Sequence, residues 1–462
     1  TWKWVTAPDN GASSLAVWSG IKEIAAKDDR TAVVTMKAPS FAWYEPFTGV
    51  FNGILLPAHA FNNDPGNRND AFLTAPIGTG PYVVTDFSST GEITYAINAA
   101  YREQAKPWFR ALAMTVGTDP AAAANAVASG AIDFAAGFAL DPAAGATPDA
   151  AGTPGVVVTV ASSSVEALRF NFSDPATTVQ GEVSQKDTPH PIFSDPRVRQ
   201  ALNTAVNRGQ IAATVYGAGV HTDANVLVGL ASWTAKDTGW SYNLDAANRI
   251  LDDAGWTRTG DTRSKDGVDL AFEIVAPASD RRQQTLAILQ EDFAKIGATV
   301  TVTPIDPTEF FSFDPAGAQS FYAMPWDAGL WADGTYSPAP LGYLRRWYAG
   351  PKGANIAQKA NGWLSTQEVF DGVIADTQRY ANPDYDTLYE SLETTLGQQD
   401  ADALLLQMND MLVKDVVIVP IVVLANRVGV AARLRRDNLG LGAFVSPLWN
   451  IANWNETGDT AS

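Results

Sequence analysis

The sequence predicts a large α/β protein of two or three domains or lobes, and three observations support this. The chain has 462 residues, of which 46% are hydrophobic, and one ordinary core rarely serves so long a chain. Residues 193–219 have the start and stop signals of two short helices. Residues 268–302 follow a strand, helix, strand pattern. Such a pattern is typical of a right-handed parallel βαβ unit, so this part of the chain is expected to be α/β.

The first helix of the pair has a strong start. Asp195 can accept hydrogen bonds from free N–H groups of the first turn, and Pro196 follows where its missing donor costs nothing. Apolar residues then recur at helical spacing and predict one packed face. We expect the polar side chains to stay off that face; they are Arg197, Arg199 and Gln200.

The second helix is expected to start at Asn207, with Gln210 three residues later, and to end at Gly217 or Gly219. Other predicted helices have similar start and stop signals. They are expected from Asp119-Pro120 to Gly130, over Ala247–Ala254 with Gly255 after it, from about Arg281 to Gly297, and from Asp400 onward.

Strands are predicted from β-branched runs and from alternation. The longest apolar run, Val416 to Ala425, contains Pro420 and is about half a bilayer span, so we interpret it as a buried strand. The segment 135–155 is rich in Ala, Gly and Pro and is expected to be irregular. The other predicted strands are 31–36, 83–84, 93–97, 156–160, 268–274 and 300–302.

Charge and composition exclude some classes of function. The chain has 32 Lys and Arg against 50 Asp and Glu, a net charge of −18, which repels phosphate backbones and makes nucleic acid an unexpected partner. Without cysteine it can form no disulfide, thiolate nucleophile or Cys-based zinc site. The absence of cysteine does not indicate whether the protein works in a reducing or an oxidising compartment.

Signatures of catalysis and cofactor binding are missing from the sequence. It has no G-x-S-x-G elbow, no phosphate loop and no H-E-x-x-H motif. His59, His190 and His221 each stand alone and are expected to be ordinary histidines, and the Asn/Asp cluster at 63–70 is expected to be a solvated turn. We therefore expect no metal, cofactor or enzymatic activity. Paired carboxylates such as Asp327 and Asp333 leave a glycosidase as an alternative.

The richest stretch for recognition is 321–348, FYAMPWDAGLWADGTYSPAPLGYLRRWY. Its aromatic residues suit a cleft wall, because aromatic faces pack on sugar rings, apolar side chains and cations. The alternative is that Trp326, Trp331 and Trp347 belong to the core. Strand alternation predicts that Trp331 and Asp333 lie on the same face.

The wording of 193–219, FSDPRVRQALNTAVNRGQIAATVYGAG, resembles a segment of the bacterial extracellular solute-binding proteins of family 5, the oligopeptide, dipeptide and nickel receptors of ABC importers. Further segments resemble segments of the family and follow one another in the same order as they do there. They are 78–82, 119–133, 245–256, 286–305 and 400–424. The resemblance implies a type II, cluster C periplasmic-binding-protein-like fold. Two lobes would be joined by a hinge of two crossings, with the ligand cleft between them.

The resemblance also implies domain boundaries and a location. The first lobe would cover 1–169, the second 170–427, and 428–462 would return to the first, with a hinge near 168–172. The abrupt start at Thr1 suggests that an N-terminal part of the family's first lobe is missing. We expect a monomeric periplasmic or extracellular lipoprotein, anchored on the outer face of the cell membrane and delivering its ligand to the transmembrane subunits of an ABC permease.

Within the recognition stretch, Gly329-Leu-Trp-Ala-Asp333 resembles the family phrase whose aspartate pairs with the α-ammonium group of a peptide. The resemblance thus implies that Asp333 is a charge partner of an oligopeptide or dipeptide. Trp331, Trp326, Trp233 and Asn171 are further candidate ligand contacts. The alternatives are a solvated turn for Asp333, core or loop packing for the Trp residues, and strand-end capping for Asn171. An oligosaccharide receptor of the same fold and a secreted glycoside hydrolase remain alternative functions.

Overall fold

A computed structural model describes residues 1–456 apart from 8–9, 11, 13, 49–52, 104, 138–154, 180, 182, 186, 218, 313–318, 322, 336 and 350–377. The chain divides into two compact units. The first unit contains Thr1–Asn10, Phe47–Ser162 and Ala425–Ser462, and the second contains Gly11–Pro46 and Ser163–Leu424. Most of the predicted irregular segment 135–155 lies outside the described residues.

The described strands are numbered along the chain. They are β1 Ile21–Asp28, β2 Thr31–Met36, β3 Tyr82–Phe87, β4 Glu92–Ile97, β5 Ala111–Thr115, β6 Phe134–Ala136, β7 Gly155–Phe170, β8 Thr257–Thr259, β9 Thr262–Lys265, β10 Val268–Asp269, β11 Ala271–Pro277, β12 Thr299–Ile305, β13 Ala328–Gly334 and β14 Ile418–Ala431.

The described α-helices are numbered in the same way. They are α1 Trp2–Val5, α2 Leu15–Trp18, α3 Ala71–Thr74, α4 Pro120–Ala128, α5 Pro196–Thr204, α6 Arg208–Ile211, α7 Leu244–Asp253, α8 Asp280–Lys295, α9 Pro307–Phe310, α10 Leu341–Leu344, α11 Pro383–Thr394 and α12 Gln398–Lys414.

The predicted βαβ unit is confirmed in the second unit. Strands β11 and β12 are parallel, with Ile274 opposite Val302, and α8 connects them. The expected strand 268–274 was partly wrong, because Val268 and Asp269 form the separate strand β10, antiparallel to β9. On its other side β11 pairs in parallel with β13, and β13 pairs antiparallel with β7. Strand β13 is therefore an interior strand, with neighbours on both sides.

Both helix starts in 193–219 are confirmed. The Asp195 carboxylate accepts a hydrogen bond from the Arg197 backbone N–H at 2.9 Å, and the Asn207 side chain accepts one from the Gln210 N–H at 3.1 Å. After α6 the chain continues as a single π-helical segment, Ala212–Tyr216, and ends at Gly217, whose φ is 71°. A positive φ of this size costs glycine little, which explains the stop.

The expected position of Arg199 was wrong. Its side chain is buried rather than off the packed face. The guanidinium donates to the carbonyl oxygens of Asp415 and Phe193, both at 2.7 Å, and lies 4.7 Å from the ring centroid of Phe172. These partners compensate the loss of hydration, so a buried arginine is compatible with the apolar face around it.

The first unit contains a three-stranded antiparallel sheet in the order β3, β4, β5. In this unit β6 also pairs antiparallel with the end of β14, where Gly429 is opposite Ala135. The start of α4 is confirmed, because the Asp119 carboxylate accepts a hydrogen bond from the Ala122 N–H at 2.9 Å. Around these strands a small core contains Val156, Val428, Val430 and Trp454.

The chain crosses from one unit to the other at positions that differ from the expected lobe boundaries. The changes occur at 162/163 and 424/425, inside strands β7 and β14, rather than at 169/170 and 427/428. Residues Gly11–Pro46 belong to the second unit, although the sequence analysis assigned them to the first lobe.

Candidate functional site

The candidate site lies on one face of β13 in the second unit. Residues alternate between the two faces of a strand, so Trp331 and Asp333 share a face, as predicted. In the neighbouring strand β7, Ala167 is opposite Trp331 and Val165 is opposite Asp333. Arg169 lies on that same face of β7, opposite Gly329. The other face of both strands packs into the main core through Leu168, Phe170, Ala328 and Leu330.

The Trp331 ring is held by protein groups. The guanidinium carbon of Arg169 lies 4.4 Å from the ring centroid, and the Phe310 ring meets Trp331 edge-on at 5.3 Å between centroids. Gly329 makes room for this arrangement, because a Cβ there would be 2.6 Å from the Trp331 ring. Arg169 is itself fixed by hydrogen bonds to the carbonyl oxygens of Ala167 and Trp331. Trp331 is thus a buried, oriented ring with a cation on its face.

Asp333 lies two residues farther along β13 in an ionic environment. One carboxylate oxygen, Oδ1, accepts a hydrogen bond from the Gly334 N–H at 2.9 Å. The other, Oδ2, is 3.1 Å from Nε of Arg346, and the exposed fractions of the two side chains are 9% and 32%. The aspartate is therefore buried and paired with a partly exposed cation, and the turn alternative does not describe it.

Arg346 comes from a segment whose backbone is well anchored. It follows α10 in the 3₁₀ turn Arg345–Trp347. The indole N–H of Trp347 donates to the Gln378 side chain at 2.9 Å, and the rings of Tyr343 and Trp347 meet edge-on at 5.0 Å. Burial raises the pKa of Tyr343 to about 12, with charges of Arg169, Asp333 and Arg346 nearby.

The remaining predicted ligand contacts lie in packed surroundings. Trp326 is buried and stacks on Phe310, with 5.5 Å between ring centroids and 10° between planes. Trp233 is buried in a 3₁₀ turn that packs against α12. The Asn171 amide donates to Ser184 Oγ and to the Met324 carbonyl, each at 2.9 Å. Their ligand-binding roles stay predictions, and their burial favours the structural alternatives.

Sequence reasoning missed two arginines, Arg169 beside Trp331 and Arg346 beside Asp333, and one carboxyl, that of Glu45, which lies beside Ser337. The adjacent arginines 345 and 346 inside an aromatic stretch were the available signal for Arg346, whereas Arg169 and Glu45 are remote in sequence. Burial raises the pKa of Glu45 to about 8, although the Ser337 hydroxyl acts in the opposite direction. Glu45 and Ser337 therefore bring a second carboxyl close to the chain segment that follows β13.

Asp327, the residue before β13, has a different set of partners. Its carboxylate is 3.0 Å from Nε2 of His190 and accepts a hydrogen bond from the Glu273 backbone N–H at 2.8 Å. Nδ1 of His190 accepts from the N–H groups of Ile192 and Phe193, so Nε2 carries the proton that is donated to Asp327. His190 is thus a satisfied core histidine, one of the forms expected from the sequence.

Among the described residues, no group of three or more His, Cys, Asp or Glu side chains is arranged to hold a metal ion. In the same part of the chain, no helix combines the length and apolar character needed to span a membrane.

Comparison with known proteins gives a family and several relatives. The family model for bacterial extracellular solute-binding proteins, family 5 Middle, matches residues 1–355. Protein XP55 of Streptomyces lividans is 28% identical over 287 residues, which are 61% of this chain and 48% of that protein. The oligopeptide-binding protein OppA of Mycobacterium tuberculosis is 27% identical over 358 residues, 75% of this chain and 56% of OppA. The chain thus spans about half the length of the curated relatives it matches.

Solved structures resemble the whole chain. NikZ from Campylobacter jejuni, in complex with Ni(L-His), has a TM-score of 0.73 at 21% identity and covers 98% of this chain and 82% of its own. The oligopeptide-binding protein AppA from Bacillus subtilis, in complex with a nonapeptide, has a TM-score of 0.70 at 19% identity, with coverages of 99% and 82%. The predicted type II periplasmic-binding-protein fold is confirmed by this likeness. Together with the family match, it establishes that the chain belongs to the bacterial extracellular solute-binding proteins of family 5.

Proposed function

We propose that this protein captures short peptides for an ABC importer and that Asp333 receives the α-ammonium group of the peptide. One observation carries the proposal: Asp333, next to the last residue of β13, has only 9% of its side chain exposed, with Oδ1 held by a backbone N–H and Oδ2 facing a cation. A positive charge stabilises a desolvated carboxylate, so the position suits a cationic group. A peptide amino terminus supplies such a group.

The neighbourhood of Asp333 suits a peptide for a second reason. The surrounding side chains are fixed before binding: Arg169 stacks on Trp331, and Trp347 is hydrogen-bonded to Gln378. A preorganised site loses little conformational entropy when a ligand binds. OppA and AppA, to which the chain is similar, are described as oligopeptide-binding proteins, which supports the same ligand class.

The proposed role is recognition without chemistry. The carboxylates weighed as a hydrolytic pair have other partners, since Asp327 is bonded to His190 and to a backbone N–H, and Asp333 is beside Arg346. A glycosidase needs one carboxylic acid and one carboxylate aimed at the scissile bond. We propose that the captured peptide is passed to the permease on the outer side of the cell membrane.

A thermal-shift screen tests the ligand class. Separate pools of tri- to pentapeptides, cello- and xylo-oligosaccharides, and nickel with L-histidine are added to the full chain. A ligand at a hundredfold excess over Kd stabilises the folded state by about 2.7 kcal/mol. We expect an upward shift of Tm with peptides alone. A shift with sugars or nickel–histidine alone, or turnover of any ligand on prolonged incubation, would refute the proposal.

A pair of variants tests the assigned residue. Asp333→Asn keeps the size of the side chain and removes its charge, whereas Asp261→Asn makes the same change at an exposed position in the turn between β8 and β9. We expect the first variant to lose most of the peptide-induced shift and the second to keep it. Equal shifts in both variants would remove Asp333 from the site.

A further inference from the structure

The Asp333–Arg346 pair has an asymmetry that bears on ligand selection. Asp333 lies in a regular strand and is bonded to the backbone of Gly334. At Gly334 a Cβ would be only 2.1 Å from the Ser163 carbonyl oxygen, so the two strands are in close contact beside the carboxylate. The carboxylate therefore has a fixed position, and any exchange of partners has to come from the cation.

Arg346 is suited to such an exchange. Its backbone belongs to the anchored turn Arg345–Trp347, but 32% of its side chain is exposed. An arginine stem has several rotatable bonds, so the guanidinium can move into water while the backbone stays in place. Arg169, on the same face of the sheet, makes a useful contrast: it is buried, hydrogen-bonded to two carbonyl oxygens and stacked on Trp331.

Electrostatics then determine what a peptide ammonium group does at Asp333. Without a neighbouring cation, this buried carboxylate would lose the favourable energy of its ion pair. With both a guanidinium and an ammonium group beside one carboxylate, the two cations would repel each other at short range. Pairing of the carboxylate with one cation at a time is therefore favourable. The partly exposed Arg346 is the cation that is easier to release.

We infer that Arg346 is an internal counter-ion of Asp333 which the ammonium group of a peptide displaces, so that Arg346 sets the threshold for binding and selects ligands with a free amino terminus. This inference rests on the proposed function. A ligand with a neutral end cannot replace the lost ion pair and leaves Arg346 in place. Affinity for the correct ligand is lower by the strength of the pair, and specificity for a charged terminus is gained.

Isothermal titration calorimetry with tetra-alanine and N-acetyl-tetra-alanine tests the inference. In Arg346→Gln we expect tetra-alanine to bind about three- to fivefold more tightly than in the wild type, the equivalent of a partly exposed ion pair. The acetylated peptide should change less than twofold. Arg346→Lys, which keeps the positive charge, should stay near the wild type. The matched control Arg345→Gln, which alters the preceding arginine, should bind tetra-alanine as the wild type does.

The outcomes separate this inference from the proposed function. If Arg346→Gln binds tetra-alanine equally well or more weakly, Arg346 is no competitor and the inference is wrong, while peptide binding by the wild type still supports the function. If neither protein binds either peptide, both are refuted. A thermal melt of each variant establishes that it is folded, and the Arg346→Lys result then decides whether charge or packing caused any change.

Discussion

Asp327 and Asp333 stand at opposite ends of β13, and their surroundings differ in one decisive respect. Asp327, with 26% of its side chain exposed, pairs with His190, of which 1% is exposed. Asp333, with 9% exposed, pairs with Arg346, of which 32% is exposed. At one end the partner is a histidine buried in the core, and at the other end the carboxylate is buried while its arginine partner is partly exposed.

We propose that this difference separates a structural carboxylate, Asp327, from one that binds a ligand, Asp333. His190 also accepts two backbone hydrogen bonds, from Ile192 and Phe193, so it cannot leave Asp327 without exposing several buried polar groups to an apolar environment. For Asp333 we propose instead that a ligand displaces Arg346, because 32% of the Arg346 side chain is already exposed. In this proposal the exposure of the partner, and not the burial of the acid alone, distinguishes the two carboxylates.

The largest expected effect is on the buried aromatic cluster that contains Phe310, Trp326 and Trp331. Trp326→Ala should lower the free energy of unfolding by about 3–5 kcal/mol, because it removes a buried ring stacked on Phe310. Trp43→Ala, at a side chain that is 59% exposed, is the control and should cost less than about 0.5 kcal/mol. Urea denaturation measures both. If Trp326→Ala lowers the free energy of unfolding only slightly and also weakens peptide binding, Trp326 becomes a candidate ligand contact again.

The structural end of the comparison is tested at His190. His190→Ala should cost about 2–4 kcal/mol, since Asp327 loses one of its two partners and the N–H groups of Ile192 and Phe193 lose their acceptor. His59→Ala, at an exposed position, should be nearly neutral. Once folded, the His190 variant should keep its peptide affinity within a few-fold. If His190→Ala lost peptide affinity without losing stability, the proposed distinction between a structural Asp327 and a ligand-binding Asp333 would be wrong.

The end that we propose binds the ligand is tested by Asp333→Asn. We expect peptide affinity to fall at least about tenfold, or about 1.4 kcal/mol, because the ammonium group loses a desolvated counter-charge. The free energy of unfolding should change by no more than about 1 kcal/mol, since Arg346 can be hydrated. Calorimetric titration and urea denaturation give the two numbers. The opposite pattern would make Asp333 as structural as Asp327.

Glu45 extends the comparison to a third buried carboxyl, which lies beside the hydroxyl of Ser337. Burial raises its pKa from 4.5 to about 8, so the folded state binds this proton more tightly than the unfolded state does. The unfolding free energy should therefore fall as pH rises from about 4.5 to about 8, by at most about 1.4 kcal/mol per pH unit. In Glu45→Gln this part of the slope should vanish. An unchanged pH profile would show that Glu45 titrates normally.

Local sequence signals were sufficient for the scaffold. Asp195 and Asn207 cap their helices as predicted, because an N-cap depends on residues only two or three positions away. Arg199 was misjudged because its stabilising acceptor, the Asp415 carbonyl, is 216 residues away in the chain. Helical periodicity indicates which face packs, but not which polar side chains find a partner inside it.

The candidate site was predictable only in part. The alternation of β13 correctly placed Trp331 and Asp333 on one face, since that property belongs to a single strand. The cation on the Trp331 ring comes from Arg169, 162 residues earlier, and is fixed by the pairing of β7 with β13. Strand pairing between distant segments is set by the whole fold, so neither this stack nor the pairing of Asp333 with Arg346 follows from local pattern.

The central claim is that a buried carboxylate at the end of β13 receives the amino terminus of a peptide. Calorimetric titration of the wild-type chain with tetra-alanine and with N-acetyl-tetra-alanine tests it most directly. The account predicts that acetylation, which removes only the terminal charge, weakens binding by at least about tenfold. Equal affinity for the two peptides would contradict it.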